Sequence, residues 1–145
     1  MEKSINAADI QQIFDLKQED IRSFSPLTLA YVGDAVYELV IRSLIVEKGN
    51  APVNKLHKKS SMLVKASAQA EIIKSIEAEL DEEELQIFRR GRNAKSYTSA
   101  KNASVIDYRM ATGFEALIGY LYLTGRQERL LMLVRSGLNH LNGGY

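Results

Sequence analysis

The sequence predicts an all-α protein. Apolar residues recur at three- and four-residue spacing along most of the chain, the period of an amphipathic helix. Only two prolines are present and strand-like alternation is scarce, so little interrupts or competes with those helices. Helix start and stop signals fall where the periodic runs begin and end, and they divide the chain into its elements.

Met1 to Asn6 reads as a loose terminus. From Ala7 to Leu16 the apolar residues Ile10, Ile13, Phe14 and Leu16 take helical spacing, with Asp9 placed as a cap. Lys17 to Phe24 is charged and reads as a turn or a short helical piece. Ser25-Pro26 is a strong start, a hydroxyl at the cap and proline at the first helical position. A long helix follows to about Glu47, where Lys48-Gly49-Asn50 stops it. Pro52 to about Leu80 is helical in two pieces, with Leu56, Met62, Leu63, Ala66, Ala70, Ile73 and Ile76 as the apolar face. Asp81 caps the next helix, whose acidic first turn suits the positive end of the helix dipole. Leu85 and Phe88 point inward, and Arg89-Arg90-Gly91-Arg92 ends it.

Asn93 to Ala103 is the one clear loop, polar and small, carrying Lys95, Tyr97 and Lys101. Ser104 caps a second strongly apolar helix, to about Thr124-Gly125, with its core run from Phe114 to Leu123. The last helix, Arg126 to about Leu141, turns Leu130, Leu133, Val134 and Leu138 inward. No repeat or linker divides the chain. The expectation is one domain over residues 1–145, with residues 1–24 as a helical N-terminal extension and residues 142–145 as a tail.

Composition narrows the chemistry. At 145 residues and 46% hydrophobic, the chain is long and apolar enough for a core. A net charge of +1 means that any nucleic-acid role rests on a local patch. The absence of cysteine excludes disulfides, zinc-thiolate sites and thiol catalysis. Met1 to Asp9 is polar and carries no targeting pattern, and no apolar run has membrane-spanning length. The expectation is a soluble cytoplasmic protein with no membrane partner.

The stretch from Leu29 to Val40 is apolar almost all round, the character of a core helix. Yet Asp34, Glu38 and Arg42 stand at steps of four and share one face. One reading is a Glu38–Arg42 ion pair with Asp34 at the edge; the other is a carboxylate held for an ion, since a charged group in apolar surroundings needs a partner or a metal. A second isolated acid, Glu115, lies in the other strongly apolar helix. If the two helices pack together, Asp34 and Glu115 meet. Mg²⁺ is often held by one or two carboxylates with several waters, and such an ion activates water and offsets charge on a phosphate. Independent pairing with Arg42, Arg109 or Lys95 is the alternative.

Basic groups form two clusters: His57, Lys58 and Lys59, and Arg89, Arg90, Arg92, Lys95 and Lys101. Arg, Lys and hydroxyl groups are what contact phosphate, and solvated helix ends are the bland alternative. The compensating acids gather at Asp81 to Glu84. A pyrophosphohydrolase would want such acids clustered on one helical face, but these precede the apolar residues and read as a helix start. Two histidines, His57 and His140, do not make an acid–base pair, and His140 fits a helix C-terminus.

Tyr31-Val32-Gly33-Asp34-Ala35-Val36 and Phe114-Glu115-Ala116-Leu117-Ile118-Gly119-Tyr120-Leu121-Tyr122 resemble the ribonuclease III catalytic domain in content, order and separation. The resemblance spans roughly Leu27 to Leu141. Leu56-His57-Lys58-Lys59-Ser60-Ser61 and Arg90-Gly91-Arg92-Asn93-Ala94-Lys95-Ser96 are similar to motifs of the Mini-ribonuclease III branch, which lacks a double-stranded-RNA-binding domain. The resemblance implies an all-helical fold, a homodimer and Mg²⁺-dependent cleavage of double-stranded RNA by a metal-activated water, leaving 5′-phosphate and 3′-hydroxyl ends. It implies Asp34 and Glu115 as catalytic metal ligands. It makes His57, Lys58, Lys59, Arg90, Arg92, Asn93, Lys95 and Lys101 the RNA-binding residues, and precursor large-subunit ribosomal RNA the substrate. Two positions depart from the ordinary pattern: Ala30 stands where a glutamate precedes the signature aspartate, and Thr112 where an aspartate precedes the second-helix glutamate. Those departures favour the alternative of a non-catalytic double-stranded-RNA-binding dimer; the presence of Asp34 and Glu115 opposes it.

Overall fold

The computed structural model describes residues 4–95 and 104–142. Among them lie α1 (Ala7–Ile13), α2 (Pro26–Glu47), α3 (Val53–Val64), α4 (Ala66–Ile76), α5 (Glu82–Asn93), α6 (Val105–Leu123) and α7 (Gln127–Asn142), with 3₁₀ turns at Ile21–Ser23 and Glu77–Glu79. The described residues contain no strand.

Local chemistry sets the helix ends. The Ser25 hydroxyl accepts from the Thr28 amide with Pro26 opening α2, and Ser104 accepts from the Asp107 amide at the start of α6. Asp81 and Glu84 form a reciprocal capping box on α5. Glu84 is fully buried, and Arg129 on α7 meets its carboxylate with two hydrogen bonds of 2.8 Å. That two-pronged pairing with a guanidinium holds Glu84 below the usual carboxylate range and fastens α5 to α7.

α6 is the axis of the packing. It lies against α2, α4, α5 and α7, and Phe114, Ala116, Leu117, Ile118 and Leu121 on it are completely buried. Its closest neighbour is α2. A Cβ on Gly33 would collide with the backbone carbonyl of Glu115, and a Cβ on Gly119 with that of Leu29. The two helices therefore run antiparallel in backbone contact, a separation that only glycine at both positions permits.

Four expectations are corrected. Asn6, not Asp9, caps α1, by accepting from the Asp9 amide. The α1 apolar residues face outward, Ile13 and Phe14 being 76% and 70% exposed, so helical spacing there does not mark a core face. Asn93 belongs to the last turn of α5 rather than to a loop, because Gly91 is buried against α6 and packing carries the helix past the glycine. Met62 is exposed, whereas its neighbour Leu63 turns inward as expected. Tyr97, Lys101 and the tail residues 143–145 lie outside the described residues. No described helix is long and apolar enough to cross a membrane.

Candidate active site

The glycine crossing brings the two isolated acids together. Asp34 follows Gly33 and Glu115 lies opposite it, so backbone contact there sets their side chains side by side. Their carboxyl groups are within hydrogen-bonding reach of each other. Asp34 is exposed and Glu115 half-buried, the edge of a core rather than its interior. Burial, reinforced by the charge and hydrogen bond of Asp34, pushes the Glu115 carboxyl up to about 8.

Two buried groups surround Glu115. The Gln69 side chain on α4 donates from Nε2 to Glu115 Oε2 at 3.3 Å and to the Val64 carbonyl at 2.8 Å. Tyr37 on α2 donates its hydroxyl to the Leu63 carbonyl at 2.7 Å and sets its ring edge-on to Phe114, centroids 5.1 Å apart. Its hydroxyl stays protonated because burial and the nearby Glu115 charge both disfavour the phenolate.

The remaining acid of the α2 stripe goes elsewhere. Glu38 accepts from Arg42 at 3.0 Å, one turn away, as the spacing suggests. Ala30 and Thr112 are both buried, and the Thr112 hydroxyl donates to the Tyr108 carbonyl of its own helix. Neither adds a carboxylate, and the described residues hold no group of three or more His, Cys, Asp or Glu arranged for a metal. The donor set is two carboxylates, and behind them the Gln69 amide that contacts Glu115 carries a buried oxygen without a partner. The carboxylates are hard oxygen donors. They fit a Mg²⁺ that keeps most of its water, and do not fit a fully protein-ligated ion.

His57, Lys58 and Lys59 are exposed on α3, and Ser60 turns inward with its hydroxyl on the His57 carbonyl. On α5, Arg90 and Asn93 line an open hollow together with Pro26, Gln86 and Arg89. Arg92 points otherwise: it is half-buried, stacked over Phe88 at 5.6 Å and bonded to the Asn93 side chain at 3.2 Å. Lys95 is exposed. Sequence reasoning did not find Gln69. Its signal was of the same kind that marked the acids, one polar residue at an apolar-face position, with Ile72, Ile73 and Ile76 following on that face.

Residues 27–126 match the Ribonuclease III domain. The Mini-ribonuclease 3 of Clostridium tetani is 53% identical over 126 residues, covering 86% of this chain and 83% of that protein. That of Thermoanaerobacter sp. is 58% identical over 115 residues, covering 79% and 81%. A crystal structure of a protein from Fusobacterium nucleatum superposes with a TM-score of 0.75 at 36% identity, covering 81% of this chain and 95% of that one. Identity this high over this much of both chains leaves one assignment: the chain belongs to the ribonuclease III family of endoribonucleases, in its Mini-ribonuclease 3 branch.

Proposed function

We propose that this protein is a Mg²⁺-dependent endoribonuclease that cleaves double-stranded RNA to 5′-phosphate and 3′-hydroxyl ends, works as a cytoplasmic homodimer, and matures precursor large-subunit ribosomal RNA. The whole chain forms one catalytic domain. The observation that carries the reading is the meeting of Asp34 and Glu115 where α2 and α6 touch through Gly33 and Gly119. Two carboxylates so close do not both ionise near neutral pH without a cation between them, and Asp34 and Glu115 would hold it. Bound there, Mg²⁺ supplies a water of lowered pKa and offsets charge on the phosphate.

The chain's own residues do the rest. Asp34 and Glu115 fix the site at a solvent-facing edge that a duplex reaches. His57, Lys58 and Lys59 on α3, and Arg90, Asn93 and Lys95 at the end of α5, present cations and polar groups for phosphate and 2′-hydroxyl oxygens. Arg92 supports Asn93 by its hydrogen bond to that side chain. Lys101, outside the described residues, is proposed for the same role from the sequence alone. Leu27 and Tyr31, one turn apart on the exposed side of α2 and 38% and 81% exposed, supply an apolar surface of the kind that a second copy covers. A two-fold pair would then offer one site to each RNA strand.

End-labelled duplex RNA incubated with graded Mg²⁺ tests the reading. The wild type cuts in proportion to bound Mg²⁺, and Asp34→Asn slows cleavage about a thousandfold, the several kcal/mol expected of a metal ligand. Equal products from the two proteins would remove Asp34 from catalysis. Binding without cleavage by the wild type would favour the non-catalytic RNA-binding dimer, to which the buried Ala30 and Thr112 give weight.

A further inference from the structure

Gln69 is 2% exposed and lies in the first turn of α4. Its amide nitrogen is used twice, on the Val64 carbonyl and on Glu115. Its amide oxygen is the one buried side-chain polar atom among the described residues that has no partner. A buried acceptor left unpaired costs about 1–3 kcal/mol. Turning the amide over does not relieve it. The oxygen would then face the Val64 carbonyl, acceptor against acceptor. The Val64 carbonyl thus fixes the orientation, with the free acceptor on the same amide that contacts Glu115.

A divalent ion on only two carboxylates keeps several waters, and their protons need acceptors. Resting on the reading that Asp34 and Glu115 hold such an ion, we propose that Gln69 is a positioning residue: its nitrogen fixes the Glu115 carboxylate, and its oxygen accepts a hydrogen bond from the ion's water shell. Because its second anchor is the Val64 carbonyl at the α3–α4 junction, Gln69 also ties the catalytic acid to the helix that carries His57, Lys58 and Lys59. Partners one layer behind the ligands tune metal affinity in this way.

The test is a Mn²⁺ titration followed by electron paramagnetic resonance on wild type, Asp34→Asn and Gln69→Met. Methionine matches glutamine in length and lacks both polar ends. Gln69→Met is expected to bind Mn²⁺ about ten- to a hundredfold more weakly. Its cleavage rate falls at low Mg²⁺ and recovers at high Mg²⁺, with the KM for duplex RNA unchanged. A Mn²⁺ midpoint equal to wild type in Gln69→Met, with binding abolished in Asp34→Asn, overturns the role of Gln69 alone. Wild-type Mn²⁺ binding by Asp34→Asn overturns the two-carboxylate reading and this proposal with it. If Gln69→Met does not fold, the side-chain amide resonance of Gln69 in ¹⁵N-labelled wild type decides. It shifts on Mg²⁺ addition and stays still in Asp34→Asn; a resonance unmoved by Mg²⁺ in the wild type contradicts the proposal.

Discussion

Glu115 keeps its proton to about pH 8 when no cation is near. An ion that uses its carboxylate must displace that proton, so metal affinity is linked to pH. Titration calorimetry should show Mg²⁺ affinity rising with pH, up to about tenfold per unit, and levelling above pH 8; a flat profile between pH 6 and 8 would contradict the linkage. Stability runs the other way. The folded value near 8 lies above the ordinary 4.5, so the folded state binds the extra proton, and its stabilising effect is complete below pH 4.5 and lost as pH rises through 8. Glu115→Gln, neutral at all pH, should therefore raise the metal-free melting temperature at pH 9, about 2–4 °C for each kcal/mol relieved, while abolishing cleavage. Both acids stand out in the sequence because each is a charge set in an apolar run, and the Glu38–Arg42 pair is one of the two readings its spacing offers. The residue types alone left open whether Asp34 meets Glu115 or a cation, since that depends on how closely two distant helices approach; the family resemblance paired the two acids.

The α2–α6 crossing decides that approach. Gly33→Ala puts a methyl group into the Glu115 carbonyl, and backbone cannot move aside as a side chain can. The expected result is destabilisation of about 3 kcal/mol or more and, in whatever fraction folds, loss of Mg²⁺ binding because Asp34 is carried away from Glu115. Denaturant unfolding and calorimetry on the same sample read both; a stable variant with unchanged Mg²⁺ affinity would refute the role given to the crossing. Helix order and most boundaries were legible from caps: Ser25-Pro26, Asp81 and Ser104 each begin a helix as read. The departures come from tertiary packing. α5 runs through Arg89-Arg90-Gly91-Arg92 because burial of Gly91 against α6 outweighs the stop signal, and α1 has apolar residues at helical spacing without a core to receive them.

Across the molecule, the acids and cations that cancel in the total have different surroundings. Asp81 and Glu84 converge on Arg126 and Arg129, whereas His57, Lys58, Lys59 and Arg90 stay exposed. The near-neutral total therefore does not describe the local distribution of charge. The same scale holds the exposed apolar residues of α2, where the almost uniformly apolar stretch from Leu29 to Val40 is only partly core. Leu29 and Tyr37 are buried, but Tyr31 and Leu39 are 81% and 63% exposed. Tyr31→Glu should convert the proposed dimer to monomer in light scattering and lower cleavage, with Mg²⁺ binding retained; a wild type already monomeric at working concentration would remove the dimer from the account. The claim beneath all of this is that one hydrated divalent ion sits between Asp34 and Glu115. Anomalous diffraction from crystals grown with Mn²⁺ addresses it directly: the account predicts a single peak shared by the two carboxylates, and a peak elsewhere, or none beside them at saturating Mn²⁺, would contradict it.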